Sequence, residues 1–335
     1  MKDTDFASIT GLIRVLEKRM LSNEALGRII DAGTPDEALR ALSQNSGYDF
    51  SQLKKPEDYD AVLKESLEGL YAWLYKSCEN EPIPDLLSAR YVFHNLKTAL
   101  KSKFLNKDHR HLYIRASAVN PDILHDFVFK GEHADIIPPH IAKAAGEAAD
   151  AFNMMKDPQA IDIIADAEMF SYMLGLCKAL GNDFITAYVR YTVMFGNVKT
   201  LLRVKNMKKD LRFLRECLVE GGPGSVKSIT ELFDNEPQDI LSHTVGKNPE
   251  CKLLTEECLR ALSVPQSGSS LERLFDNFLL EYLKKTKYIA FGPEILFSYV
   301  LFKENEIRQI RILMTCKING IREQALRERL RDNYA

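Results

Sequence analysis

Residues 195–205 read FGNVKTLLRVK, and residues 93–103 read FHNLKTALKSK. The two phrases align on Asn95 and Asn197, 102 positions apart, as Phe93/Phe195, Leu96/Val198, Lys97/Lys199, Thr98/Thr200, Leu100/Leu202, Lys101/Arg203 and Lys103/Lys205. A third, diverged copy fits at 307–317, IRQIRILMTCK. There Gln309 stands for the asparagine, Ile310 for Leu96, Arg311 for Lys97, Met314 for Leu100 and Lys317 for the last lysine. It follows Asn197 by 112 positions, so the period is about 100 to 110 residues. No copy pairs a nucleophile with a base or gathers metal ligands. What recurs is a basic, amide-bearing helix phrase and not a catalytic motif.

A second phrase keeps the same period. IIDAGTPDEAL at 29–39 resembles LFDNEPQDIL at 232–241, and Asp31 lies 203 positions, two periods, before Asp234. The middle copy of this smaller module is expected near 122–145. These spacings predict three compound helical repeats, over 1–105, 106–207 and 208–335, acting as one structural unit with pseudo-threefold symmetry.

The rest of the chain reads as all-α. Ile9, Leu12, Ile13, Leu16 and Met20 follow the i, i+3, i+4, i+7 spacing of a helix with one apolar face, and GIREQALRERL at 320–330 repeats it. Thr34-Pro35-Asp36-Glu37 has the form of a helix start: a capping hydroxyl, proline at the first helical position, and acids where the helix dipole is positive. Pro121, Pro158, Pro237 and Pro249 recur in similar settings. Twelve or more helices with short connections are expected.

At 100° per residue Phe93, Leu96, Ala99 and Leu100 make one buried stripe. Asn95 falls on one flank, and Lys97 and Lys101 form a ridge on the other. Lys199 and Arg203 repeat that ridge around Asn197. The third copy keeps Arg311 beside Gln309 but has Thr315 where the second basic residue would stand. Two readings compete. In one, the amides satisfy backbone groups between packed helices and the basic residues are a solvated face. In the other, three equivalent ridges converge on a central polar surface for a protein partner. Repetition favours the second, which makes Asn95, Lys97, Lys101, Asn197, Lys199, Arg203, Gln309 and Arg311 the candidate partner-binding residues.

Composition narrows the alternatives. The chain has 335 residues, 45% hydrophobic and 27% charged, with 45 basic against 47 acidic side chains and a net charge of −2. That balance offers no general field for nucleic acid. The six cysteines are scattered without a CxxC pair, as buried small hydrophobes of a reducing compartment would be. No apolar run approaches the roughly 18 residues of a membrane span, and the charged amino terminus lacks a signal core. GGPGSVKS at 221–228 resembles a phosphate loop, but Val226 precedes Lys227 where Gly-Lys-Ser/Thr is required. It is expected to be a tight turn after a helix LRFLRECLVE. Six of the seven histidines lie between His94 and His140, in no metal-ligand spacing, so neither metal nor cofactor is expected.

YVFHNLKTALKSKF, RYTVMFGNVKTLLRVKN and the tail FGPEILFSYVLFKENEIRQIRILMTCKINGIREQALRERLRDNYA together resemble the C subunit of bacterial and archaeal V-type (A-type) ATP synthases. That family also includes the d subunit of eukaryotic vacuolar ATPases. The likeness extends over essentially the whole chain, with Glu306, Arg311, Lys317 and Tyr334 placed as in the family's tails. It implies a funnel-shaped, all-helical, non-catalytic subunit within a hetero-oligomeric complex. The implied seat is the cytoplasmic face of a membrane rotor ring of c/K-type subunits, receiving the central stalk of D and F subunits and serving ATP synthesis coupled to H+ or Na+ transport. The alternative is a helical-repeat scaffold or RNA-binding protein of unrelated function.

Overall fold

The helical spacing resolves into sixteen α-helices, with no strand among the described residues of the computed structural model, which describes residues 6–78, 82–263 and 268–334. In chain order they begin with α1 (Ala7–Glu17), α2 (Asn23–Asp31), α3 (Pro35–Asn45) and α4 (Tyr59–Ser77). Then come α5 (Pro82–Leu105), α6 (Pro121–Lys130), α7 (Pro139–Met155), α8 (Pro158–Leu180) and α9 (Asp183–Asn206). Short helices follow as α10 (Leu211–Cys217), α11 (Val226–Thr230), α12 (Pro237–Thr244) and α13 (Lys252–Leu262). The last are α14 (Gly268–Lys284), α15 (Pro293–Ile318) and α16 (Glu323–Arg329). None is long and apolar enough to cross a membrane, among the described residues.

The boundaries follow local chemistry. Thr34 accepts from the Glu37 N–H while the Glu37 carboxylate accepts from the Thr34 N–H, a reciprocal cap with Pro35 at the first helical position. Asn120, Asp157 and Asn182 cap α6, α8 and α9 in the same spirit. Gly131 and Gly181 end α6 and α8 in the left-handed conformation, with φ of 75° and 64°.

The helices group into two compact units, residues 74–259 and residues 1–73 with 260–335. In the first, α7 and α8 form a hairpin and α5 lies antiparallel on α8. The α5 stripe of Phe93, Leu96, Ala99 and Leu100 is buried as its periodicity predicts. It meets Ala144, Ala145 and Ala148 of α7 and Ile161 and Ala165 of α8, and the four alanines let the helices approach closely. Farther along, α9 is packed by α10, α11 and α12 through Leu201, Val204, Leu214, Ile229 and Ile240.

The second unit is organised around α15, which buries 17 of its 26 residues. A helix buried on most sides cannot show one apolar stripe, and α15 carries Glu304, Asn305, Glu306 and Gln309 among its buried positions. Each has a local use. The Tyr71 hydroxyl donates to Glu304 at 2.7 Å, the Leu21 N–H donates to Glu306 at 2.6 Å, and the Asn305 amide donates to the Asp332 carbonyl at 2.9 Å. Buried polar groups therefore fasten α4, the α1–α2 connection and the segment after α16 to one helix.

Truncating Leu96, which is fully buried, is expected to lower the unfolding free energy by about 2–5 kcal/mol. Leu12→Ala, at an exposed position, should stay within about 0.5 kcal/mol. Urea unfolding of the two variants followed by circular dichroism compares them directly.

Candidate functional site

The three recurring amides make the same device. The Asn95 amide donates to the Ile114 carbonyl at 2.8 Å and its oxygen accepts from the Ile114 N–H at 2.9 Å. Asn197 treats Val219 identically, at 2.7 and 2.9 Å. Gln309 donates to the Arg331 carbonyl and accepts from the Arg331 N–H at 3.0 Å. In each case both backbone groups of a single residue, in a non-helical stretch farther along the chain, are paired by one side chain. Only a carboxamide offers a donor and an acceptor side by side in one plane, so the pairing copies one rung of a β-ladder.

The last lysine of each phrase, eight positions after the amide, has an equally constant role. Lys103 donates to the Val128 carbonyl at 2.6 Å in the last turn of α6. Lys205 donates to the carbonyls of Phe233 and Asn235, and Lys317 to those of Ile30 and Ala32. These acceptors flank Asp234 and Asp31, the two residues on which the smaller module aligns. A cation at unsatisfied carbonyls near a helix end is favourable both as a hydrogen bond and against the dipole.

This placement corrects the reading of the amides as contact residues. Asn95, Asn197 and Gln309 are 0%, 2% and 0% exposed and are used up inside the chain. The flank of the apolar stripe on which they lie is covered by the extended segment they hold. The basic ridges are also partly spent. Lys97 and Lys101 of α5 reach Asp166 and Asp162 of α8 at 2.6 and 2.7 Å. Arg311 binds Asp60 at 2.7 Å, and the neighbouring Thr315 hydroxyl meets the Tyr59 hydroxyl at 3.0 Å. In the middle copy Lys199 is half-buried and Arg203 is exposed. The eight positions thus divide into three internal clamps, three partly exposed ion-paired cations, and two further cations of α9, Lys199 half-buried and Arg203 exposed.

Burial raises the Asp60 carboxyl, but the Arg311 guanidinium, helped by Lys64, outweighs it and holds the group below the usual carboxylate value. Burial pushes Cys177 up to about 11 and Cys258 up to about 12, which leaves these thiols protonated and unreactive. Asp126, Glu132 and His133 bring possible ligand atoms within 4.8 Å of one another. Lys130 already neutralises both carboxylates, at 3.1 and 3.6 Å, and we assign no ion there.

The expected turn at 221–228 is present, but its helix stops early. α10 ends at Cys217, because Val219 must be extended to present both backbone groups to Asn197. Beyond it the glycine-rich loop walls a cleft of about 290 Å³ with Met194, Ile229, His243 and Lys247. Nothing in the sequence separates this loop from an ordinary turn, since the opposite wall is built from α12 and the turn after it.

The described residues are thus all-helical, with three non-helical segments fastened to long helices by buried amides. The profile of the ATP synthase (C/AC39) subunit family matches residues 9–329, and the chain belongs to that family. It is 22% identical over 342 residues to the C subunit of the V-type sodium ATPase of Enterococcus hirae, covering 98% of this chain and 99% of that protein. It is 19% identical over 345 residues to the C subunit of the A-type ATP synthase of Thermococcus onnurineus, covering 99% of this chain and 91% of that protein. The corresponding A-type ATP synthase protein of Methanococcoides burtonii is 20% identical over 358 residues, covering 98% and 94% respectively. As a member of this family the chain is a subunit of a V/A-type ATPase complex.

Asn197→Ala should destabilise the protein by about 1–3 kcal/mol for each Val219 group left unpaired. Asn197→Asp keeps the acceptor for the Val219 N–H but aims a carboxylate at the Val219 carbonyl, and should cost more than Asn197→Ala. Equal or reversed losses in chemical unfolding would remove the clamp. For Asp60, the folded carboxyl lies below its unfolded value of about 3.9. The pair's contribution is therefore present above about pH 4 and lost as pH falls through the folded value. With both groups about a third exposed, that contribution is below about 1 kcal/mol. A carbon-detected carboxyl titration should place the Asp60 midpoint below about 3.9, and Arg311→Gln should raise it.

Proposed function

We propose that this protein is the non-catalytic adaptor of a rotary V/A-type ATPase, joining the membrane rotor ring to the D–F central stalk at the cytoplasmic face and passing torque between them. The observation that carries this reading is the family match over nearly the whole chain, with relatives named as the C subunits of V-type and A-type enzymes. The coupled ion, H+ or Na+, is a property of ring residues on another chain.

The local architecture supports such a role. A torque-bearing part has to resist shear between its helices, and the clamps and the Lys–Asp pairs of α5 and α8 tie neighbouring segments by polar contacts over their length. The recurrence of one device about every hundred residues supports three repeats closing around an axis into a funnel. On this reading α2 completes the third repeat, since Lys317 takes from it the carbonyls that Lys103 and Lys205 take from downstream segments. The amides then build the wall, and Lys199 and Arg203 are the partner-facing candidates that remain outside it. Polar contacts of this kind release more readily than an obligate apolar interface.

An affinity pull-down of the tagged chain from detergent-solubilised host membranes tests the proposal, with the recovered subunits identified by mass spectrometry. Ring and stalk subunits are expected, in reduced yield for the Lys199→Glu, Arg203→Glu double variant. Undiminished yield would keep the adaptor and move its contact elsewhere. Recovery of the chain alone, or with RNA, would contradict the assignment.

A further inference from the structure

The clamp on Val219 leads directly into Gly221–Gly224, and that loop is built to lie flat. Gly221 has a φ of +104°, where side chains are strained, and a Cβ there would come within 2.1 Å of Leu174 Cδ1. Gly222 rests on the α9 backbone, where a Cβ would stand 3.4 Å from the Met194 nitrogen. The Arg190 guanidinium donates to the Gly222 carbonyl at 3.4 Å. The loop is thus held close against α8 and α9 at Gly221 and Gly222, and it lines the cleft beside it with Gly222, Pro223 and Gly224.

That cleft has an apolar floor of Met194, Ile229 and Pro249, and its ionisable side chains are His243 and Lys247, with no carboxylate. The His243 Nδ1–H donates to the Asp239 carbonyl at 2.8 Å, which leaves Nε2 available. The Lys247 ammonium has no partner among the described residues. Past Pro223 and Asn248 a second hollow of about 300 Å³ is lined by Arg190 and Asp183. Asn248 itself is held, donating to the Tyr191 hydroxyl at 3.3 Å, while that hydroxyl donates to Glu250 at 2.8 Å. The result is a preformed hollow with an aliphatic floor and an uncompensated cation at its edge.

We propose that this cleft docks a segment of another subunit of the ATPase, one carrying an Asp or Glu next to an aliphatic residue. The carboxylate would meet Lys247 and the aliphatic side chain would cover Met194 and Ile229. The proposal rests on the membership of the chain in that complex. The chemistry of the lining favours a peptide over a nucleotide: no Phe, Tyr or Trp ring lines the cleft to stack a base, and the glycine loop lacks the Gly-Lys-Ser/Thr run that binds phosphate. The first and third amide phrases lead into RASAVN at 115–120 and DNY at 332–334, so the glycine-walled cleft belongs to the middle phrase.

The test places a photo-crosslinker in the wall. Gly224 is exposed, has ordinary φ, and a Cβ there meets nothing closer than Ser228 Oγ at 3.4 Å, so Gly224→p-benzoylphenylalanine is sterically mild. The full-length variant is irradiated within the membrane-extracted complex and its adducts are sequenced by mass spectrometry. An adduct to another subunit is expected, at a peptide with Asp or Glu beside an aliphatic residue. Its yield should fall about tenfold with Lys247→Glu and persist with Lys247→Arg. Subunits that co-purify without such an adduct, or an adduct insensitive to Lys247→Glu, or one to nucleotide, would overturn the docking proposal and leave the adaptor role standing. If no other subunit co-purifies with the unsubstituted chain, the adaptor reading fails and the docking proposal falls with it.

Discussion

A primary amide buried away from water must have both its donor and its acceptor satisfied, and this requirement organises the chain at three places. Asn95, Asn197 and Gln309 meet it by pairing both backbone groups of Ile114, Val219 and Arg331. The arrangement solves two problems together. The long helices α5, α9 and α15 can be covered on a polar flank, and an irregular segment downstream of each gains the partners that no neighbouring strand supplies. A carboxylate could serve only half of the pair, and a hydroxyl would have to donate and accept from a single atom. The recurrence of an amide, and not merely of a polar residue, at these positions follows from that.

Other contacts are secured from the same helices. Four residues on from Lys97, Lys101 repeats its reach across to α8, and eight residues on from each amide a lysine closes the end of a short helix or turn. In α15 the polar run 304–306 continues the theme, holding Tyr71, Leu21 and Asp332. Individually the exposed ion pairs contribute little. Their value lies in register: a one-turn slip of α5 along α8 would leave only one Lys–Asp contact, between exchanged partners, in place of two.

The helical class is legible in the sequence because periodicity and caps are local. The alignment of Gln309 with the two asparagines is legible too, and the shared bonding of the three amides gives it a physical meaning. What the amides do is not legible. Their partners are backbone groups 19 or 22 residues downstream, in the unlike sequences around Ile114, Val219 and Arg331, and a backbone acceptor imposes no side-chain signature. A stripe facing a partner and a stripe facing the core also look alike in sequence, which is why repetition alone points the amides to a surface. Asp162 and Asp166 give no hint of pairing, since only the antiparallel contact of α5 with α8 sets them opposite Lys101 and Lys97. The glycine-walled cleft is invisible for the same reason.

In this member of the ATP synthase C/AC39 family, irregular segments are locked to long helices by buried amides. Native-state hydrogen exchange of the Ile114, Val219 and Arg331 amides tests this most directly. All three lie outside the helices, yet they should exchange on the slow timescale of the buried turns of α5, α9 and α15. The nearby loop amides of Arg115 and Glu220 should exchange much faster. If Ile114, Val219 and Arg331 exchanged as fast as those neighbours, the amides would not be holding the segments, and the account built on them would fail.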